Sequence, residues 1–123
     1  MDKNYFRIVS SANTRERDKY HILKYLSNEV EFLDVTETIC CHGLYGPKSR
    51  KMIQKISNDD FTPENFKFGS GKNININNIK VWAQRISYVG ELGFELYVDK
   101  KNALKLYKIL INEGKNFNLF LIL

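Results

Sequence analysis

The stretch from Lys72 to Tyr88 constrains this chain most, because Lys72-Asn73-Ile74-Asn75-Ile76 alternates polar and apolar residues without a break. Period two is the mark of a strand with one buried face. Asn77-Asn78 follows, a pair that tolerates positive φ, and residues 79–88 return with β-branched and aromatic side chains. Together they spell a two-residue β-hairpin. A third strand is expected over 94–98, and Gly90 and Gly93 bracket Glu91-Leu92 as a second tight connection.

The flanking segments supply helices. Asp99 opens one in which Ala103, Leu106, Tyr107 and Leu110 share a face, with Gly114-Lys115 at its end. Gly46-Pro47 opens another, since Pro suits the first helical position; Met52, Ile53 and Ile56 lie on one side, and Asn58-Asp59-Asp60 stops it. Thr62-Pro63-Glu64 reads as a further single turn. Residues 30–35 and 38–44 read as extended, split by Thr36-Glu37. At the start, residues 5–10 read as a strand. Asn13 with Glu16 then resembles a capping box, opening a helix with Tyr20, Ile22, Leu23 and Leu26 as its apolar face up to Ser27, and Asn28 as its stop. The order implies an α+β fold, an antiparallel sheet with helices on one face. With no internal repeat and no linker, one domain over 1–123 is expected.

Composition removes other classes. With 43% hydrophobic and 27% charged residues, 2 Pro and 7 Gly, the chain is neither disordered nor collagen-like. No apolar run approaches the roughly 20 residues of a membrane span, and Met1-Asp2-Lys3-Asn4 lacks the apolar core of a signal peptide. A cytoplasmic protein with no membrane partner is expected. Cys40 and Cys41 are adjacent, and neighbouring strand residues face opposite ways, so no disulfide framework is available and a reducing compartment fits. The net charge of +5 favours anionic partners such as nucleic acid, phosphate or a polycarboxylate. The cations are scattered, however, over Lys3, Arg15, Arg17, Lys48, Arg50, Lys51, Lys100 and Lys101, with no stripe interleaved with aromatics. A solvated basic surface is expected, not a nucleic-acid binder.

The segment from Arg85 to Tyr97 concentrates the remaining chemistry, with two carboxylates, two tyrosines and two glycines. Period two puts Phe94, Leu96 and Val98 on one strand face and Glu95 with Tyr97 on the other. An outward strand glutamate is ordinarily solvated, Glu91 reads as a charge at a glycine-bounded turn, and Tyr97 as sheet packing. Elsewhere the signals are weaker. In Cys40-Cys41-His42 only the outer two share a face, and two ligands do not close a zinc site. His21 reads as an exposed helical residue. Gly69-Ser70-Gly71-Lys72 lacks the spacing of a phosphate loop and precedes a strand. No metal site is expected.

The Arg85–Tyr97 residues, with Leu44-Tyr45-Gly46-Pro47-Lys48-Ser49-Arg50 and Phe66-Lys67-Phe68-Gly69, closely resemble the folate-binding domain of the glycine cleavage T-protein (aminomethyltransferase) family. The likeness is strongest to the relatives fused behind dimethylglycine and sarcosine dehydrogenases, and it runs in order from Tyr5 to Leu119. It implies a ferredoxin-like layer and tetrahydrofolate-dependent transfer of a one-carbon, methylene, unit. It also implies that Glu95 clamps the pterin, whose 2-amino group and N3–H form a guanidine-like edge for one carboxylate. By the same likeness Tyr88 lines the folate pocket, and Glu91 is a weaker folate-binding candidate.

Departures from the family pattern shape further expectations. The family's catalytic aspartate lies in a Gly-Gly-Ile…Asp stretch upstream of the first matched strand, and Asp2 matches only a turn residue, so no catalytic residue is assigned. The family's basic residue beyond the last helix and its jelly-roll domain have no counterpart before Leu123. A partial folate-binding domain is therefore expected. It would be either a truncated aminomethyltransferase-like fragment, from a split or broken gene or as a stand-alone reduced relative, or a non-catalytic folate-binding or assembly module completing a partner subunit such as a dimethylglycine or sarcosine dehydrogenase. The apolar run 119–123 is expected either to add a strand to the sheet or to bury itself in a homodimer or against a separately encoded remainder.

Overall fold

The computed structural model describes residues 4–122, so Asp2, Lys3 and Leu123 lie outside the described residues. The chain divides into two compact units, residues 1–34 and 35–123.

In the first unit a 3₁₀ turn, Ala12–Thr14, leads into helix α1, Arg15–Tyr25. The helix begins after Thr14 and not at Asn13. The Thr14 hydroxyl donates to Asp18 Oδ2 at 2.5 Å, in place of the expected capping box. Asp34 accepts from Arg15 and Lys19, each at 3.2 Å, and so ties the end of this unit to its helix. Residues 5–10 and 30–35 are not strands. A strand exists only with a partner ladder, and among the described residues none pairs with either segment. No residue from 4 to 34 is buried, and the expected apolar face of α1 leaves Tyr20 and Leu23 exposed.

The second unit holds the sheet. Its strands are β1 (Ile39–Tyr45), β2 (Gly71–Ile76), β3 (Ile79–Gln84) and β4 (Gly93–Asp99), in the order β1-β4-β3-β2 with every pairing antiparallel. Helices α2 (Ser49–Ile56) and α3 (Lys100–Gly114) complete an α+β fold. The hairpin turn forms as its residues dictate, with Asn77 and Asn78 at φ 46° and 65°. The returning strand stops at Gln84, four residues short of Tyr88. Beyond it, Arg85 turns its backbone N–H to Ser70 and its guanidinium to Phe66 O at 2.7 Å, leaving the ladder. Pro47 sits two residues before α2 and not at its first position.

One sheet face carries the core. Leu44, Ile74, Val81, Ala83, Phe94, Leu96 and Val98 point into it, met by Met52 and Ile53 of α2 and by Leu106 and Leu110 of α3. The loop after α2 contributes Phe61 and Phe66, whose rings lie 5.7 and 5.6 Å from that of Phe94. Lys72 closes this trio with its ammonium over both loop rings, at 5.2 and 4.8 Å. His42 also faces this side, its Nε2 3.1 Å from Ala103 O. At the far end Leu119 packs on Gly114, while Phe120, Leu121 and Ile122 stand exposed and form no strand. No described helix is long and apolar enough to cross a membrane.

Candidate functional site

The opposite face of the sheet has another character. Period two brings Cys41, Gly43 and Tyr45 of β1, Glu95 and Tyr97 of β4, Trp82 and Gln84 of β3 and Gly71 of β2 to it. Glu95 stands between Gly43 and Gln84 in register. Its carboxylate accepts a hydrogen bond from the Tyr97 hydroxyl at Oε2 and a long one, 3.5 Å, from the Tyr45 hydroxyl at Oε1. An outward strand glutamate is ordinarily solvated, whereas Glu95 accepts from one tyrosine closely and from a second at long range.

Glycines make this arrangement possible. A Cβ on Gly43 would come within 2.5 Å of the Tyr45 ring, and one on Gly93 within 2.2 Å. The ring therefore lies flat along the strands, and its hydroxyl reaches Glu95. Gly71 plays the same part for Trp82, whose Cζ2 lies 2.5 Å from where a Cβ would stand. The result is a face on which two tyrosines meet one carboxylate, with the Trp82 ring lying over Gly71 of β2.

Electrostatics keep the neighbours of Glu95 protonated. Burial first, and then the bond to Glu95, raise the Tyr97 phenol far above its ordinary range. Burial, followed by the Glu95 charge, also raises the Tyr45 phenol. Cys41 is exposed as a residue, yet loss of hydration at its thiol and then the Glu95 charge push that thiol up to about 11. Near neutral pH these groups are donors and not nucleophiles.

The other residues expected at the site stand apart. Tyr88 is 97% exposed on the connection between β3 and β4, and Glu91 is exposed on the same connection. Among the described residues neither hydrogen-bonds to Glu95. That connection is tied to the turn after β1, where Gly46 N donates to Leu92 O at 2.7 Å and the buried Ser49 hydroxyl donates to the same oxygen at 3.3 Å. Sequence reasoning left Tyr97 as packing, although its spacing of two from Glu95 was a usable signal. Tyr45 and Trp82 gave none, since the register that brings them here depends on pairing across the sheet. An open cleft of about 500 Å³ beside α2, lined by Arg50, Lys51, Lys55, Phe61, Pro63 and Phe117, contains none of these residues. No group of three or more His, Cys, Asp or Glu able to hold a metal occurs among the described residues.

Comparison with known proteins bears on what such a face serves. The family described as GCVT N-terminal domain matches residues 1–122. The chain belongs to this family. Human mitochondrial dimethylglycine dehydrogenase is 35% identical to this GCVT-family chain over 109 residues, covering 83% of the chain and 13% of the dehydrogenase. An aminomethyltransferase from Geobacillus sp. (strain WCH70) is 32% identical over 114 residues, covering 93% of the chain and 31% of the enzyme. The chain thus spans at most about a third of the length of these relatives. Among solved structures, the heterotetrameric sarcosine oxidase from Corynebacterium sp. U-96, in complex with pyrrole 2-carboxylate, superposes with a TM-score of 0.64 at 18% identity, over 76% of this chain and 46% of that one. At that identity the likeness is one of fold.

Proposed function

We propose that this GCVT-family chain is a folate-binding segment of an aminomethyltransferase-type protein, in which Glu95 receives the pterin of tetrahydrofolate, with Tyr88 and, more weakly, Glu91 contributing from the connection before β4. The single observation that carries this reading is the Glu95 carboxylate, which accepts from the Tyr97 hydroxyl and, at long range, from the Tyr45 hydroxyl on the outer sheet face.

The residues suit the group. A pterin is flat, aromatic and edged by two adjacent donors; the carboxylate can accept both, and aromatic side chains suit its faces. Tetrahydrofolate, when bound, supplies the amine nitrogens that take up a methylene unit. The part played by this chain is to bind and orient that molecule beside a one-carbon donor, a contribution of position. Both compact units belong, in this reading, to one partial folate-binding domain, since the family match runs across them. Assembly with a second copy or with the rest of an enzyme completes the proposal, because Phe120, Leu121 and Ile122 present an uncovered apolar run. Free thiols at Cys40 and Cys41 fit a reducing, cytoplasmic setting.

The test is calorimetric titration of the chain with tetrahydrofolate. Glu95→Gln should weaken binding at least about tenfold, because a forked, charge-assisted pair loses its charge. Equal affinity of the two proteins would remove Glu95 from the site.

A further inference from the structure

The carboxylate of Glu95 has about four lone-pair positions, two on each oxygen. Tyr97 donates to Oε2 and Tyr45, at long range, to Oε1. Each oxygen therefore keeps acceptor capacity for a ligand, and a planar edge with two parallel donors requires one acceptor position on each oxygen. We infer that Tyr97 is the positioning residue that fixes the Glu95 carboxylate in the orientation for a two-donor edge, with Tyr45 assisting. This rests on the folate reading for the identity of the ligand, but not for the orientation of the carboxylate.

Three observations support it. Tyr97 is buried and sits two residues from Glu95 on the same strand, so its ring is locked while its hydroxyl stays on the outer face. Cys41 and Trp82 stand opposite it in register on the two neighbouring strands, so Tyr97 lies within the sheet and not at its edge. Its phenol is raised by burial and by Glu95, so it remains a donor throughout the working pH range. A rotating, fully solvated carboxylate would present its oxygens in many planes; the clamp removes that freedom before a ligand arrives, which saves ordering cost on binding.

Two measurements on the whole chain test this. In NMR of protein labelled at glutamate carboxyl carbons, with the Glu95 signal identified by Glu95→Gln, Tyr97→Phe should shift that signal and Tyr45→Phe should shift it less. In binding titrations the probes are pterin and lumazine, which carries a carbonyl where pterin has the 2-amino group. The wild-type chain should prefer pterin by about tenfold, and Tyr97→Phe should remove most of that preference. An unmoved Glu95 signal in Tyr97→Phe overturns the inference whatever the ligands do. A moved signal with no pterin binding by the wild-type chain supports the positioning role and overturns the folate reading instead. Should Tyr97→Phe not fold, the wild-type chain decides: a slowly exchanging Tyr97 hydroxyl proton that is lost in Glu95→Gln supports the clamp, and a freely exchanging one overturns it.

Discussion

Phe94 and Glu95 are neighbours in sequence and stand on opposite faces of one sheet, and the two faces are built by opposite rules. On the inner face large side chains fill space: Phe94 meets Phe61 and Phe66, and strands are covered by α2 and α3. On the outer face glycines at 43, 71 and 93 leave space, and aromatic rings lie across it so that hydroxyls reach a carboxylate. The inner face holds the fold by close packing, whereas the outer face gives up packing to keep polar and aromatic groups available. A residue's face should therefore decide whether its loss is read in stability or in binding.

The largest effect should come from the inner face. Phe94→Ala removes the ring at the centre of the aromatic trio, where neighbouring strands limit collapse of the void, and should cost about 3 to 5 kcal/mol by urea unfolding. A loss under about 1 kcal/mol would mean that the trio is not the packing centre of this unit.

Gly93→Ala tests whether the space on the outer face is itself structural. Gly93 is buried, and the new methyl would meet the Tyr45 ring at 2.2 Å and Ile86 O at 3.2 Å. The ring can swing away, but only by leaving Glu95. We expect a loss of about 1 to 3 kcal/mol, with weaker tetrahydrofolate binding. A variant as stable as the wild type that retains full affinity would show that Tyr45 does not need its flat position.

Glu95→Gln should be the mildest for stability, at about 1 kcal/mol or less, because the amide oxygen still accepts from one tyrosine and the site is open to solvent. Its effect on folate affinity, about tenfold, should be the greater. If the two measurements ranked the other way, Glu95 would belong with the structural residues and the contrast between faces would fail.

How far the sequence reveals these faces depends on the range of the signal. The β2–β3 hairpin is legible because alternation and the Asn77-Asn78 turn act within a dozen residues. The opposite orientations of Phe94 and Glu95 follow from period two alone. The approach of Tyr45 to Glu95 is not legible, since it joins residues 50 apart through the pairing of β1 with β4. Residues 5–10 and 30–35 mislead for a related reason: β-branched and aromatic composition reports suitability for a strand but says nothing of whether a partner ladder exists. Likewise the apolar spacing in α1 is real, yet nothing in the described part of its unit buries Tyr20 or Leu23. Tyr97 is the instructive intermediate. Its place beside Glu95 could be read from the spacing, but its bond depends on side-chain rotamers, which spacing does not specify.

The smallest expected effect concerns reactivity. With Cys40 replaced by Ala, Cys41 is the one remaining thiol in the sequence. Loss of hydration at the thiol of this exposed residue, and then the Glu95 carboxylate, push it up to about 11, so the neutral form dominates across the physiological range. Alkylation proceeds through the thiolate, and at about pH 8 that fraction is some 100-fold below that of a free cysteine. The sign of the pH dependence follows: the rate should climb about tenfold per pH unit well past the usual thiol range and level off only near 11. Glu95→Gln removes one of the two largest raising influences, so alkylation should then be faster at the same pH and level off sooner. A profile that already saturates near about pH 8.5, or one that Glu95→Gln leaves in place, would show that Cys41 does not share the environment of the carboxylate and would detach β1 from the outer-face cluster.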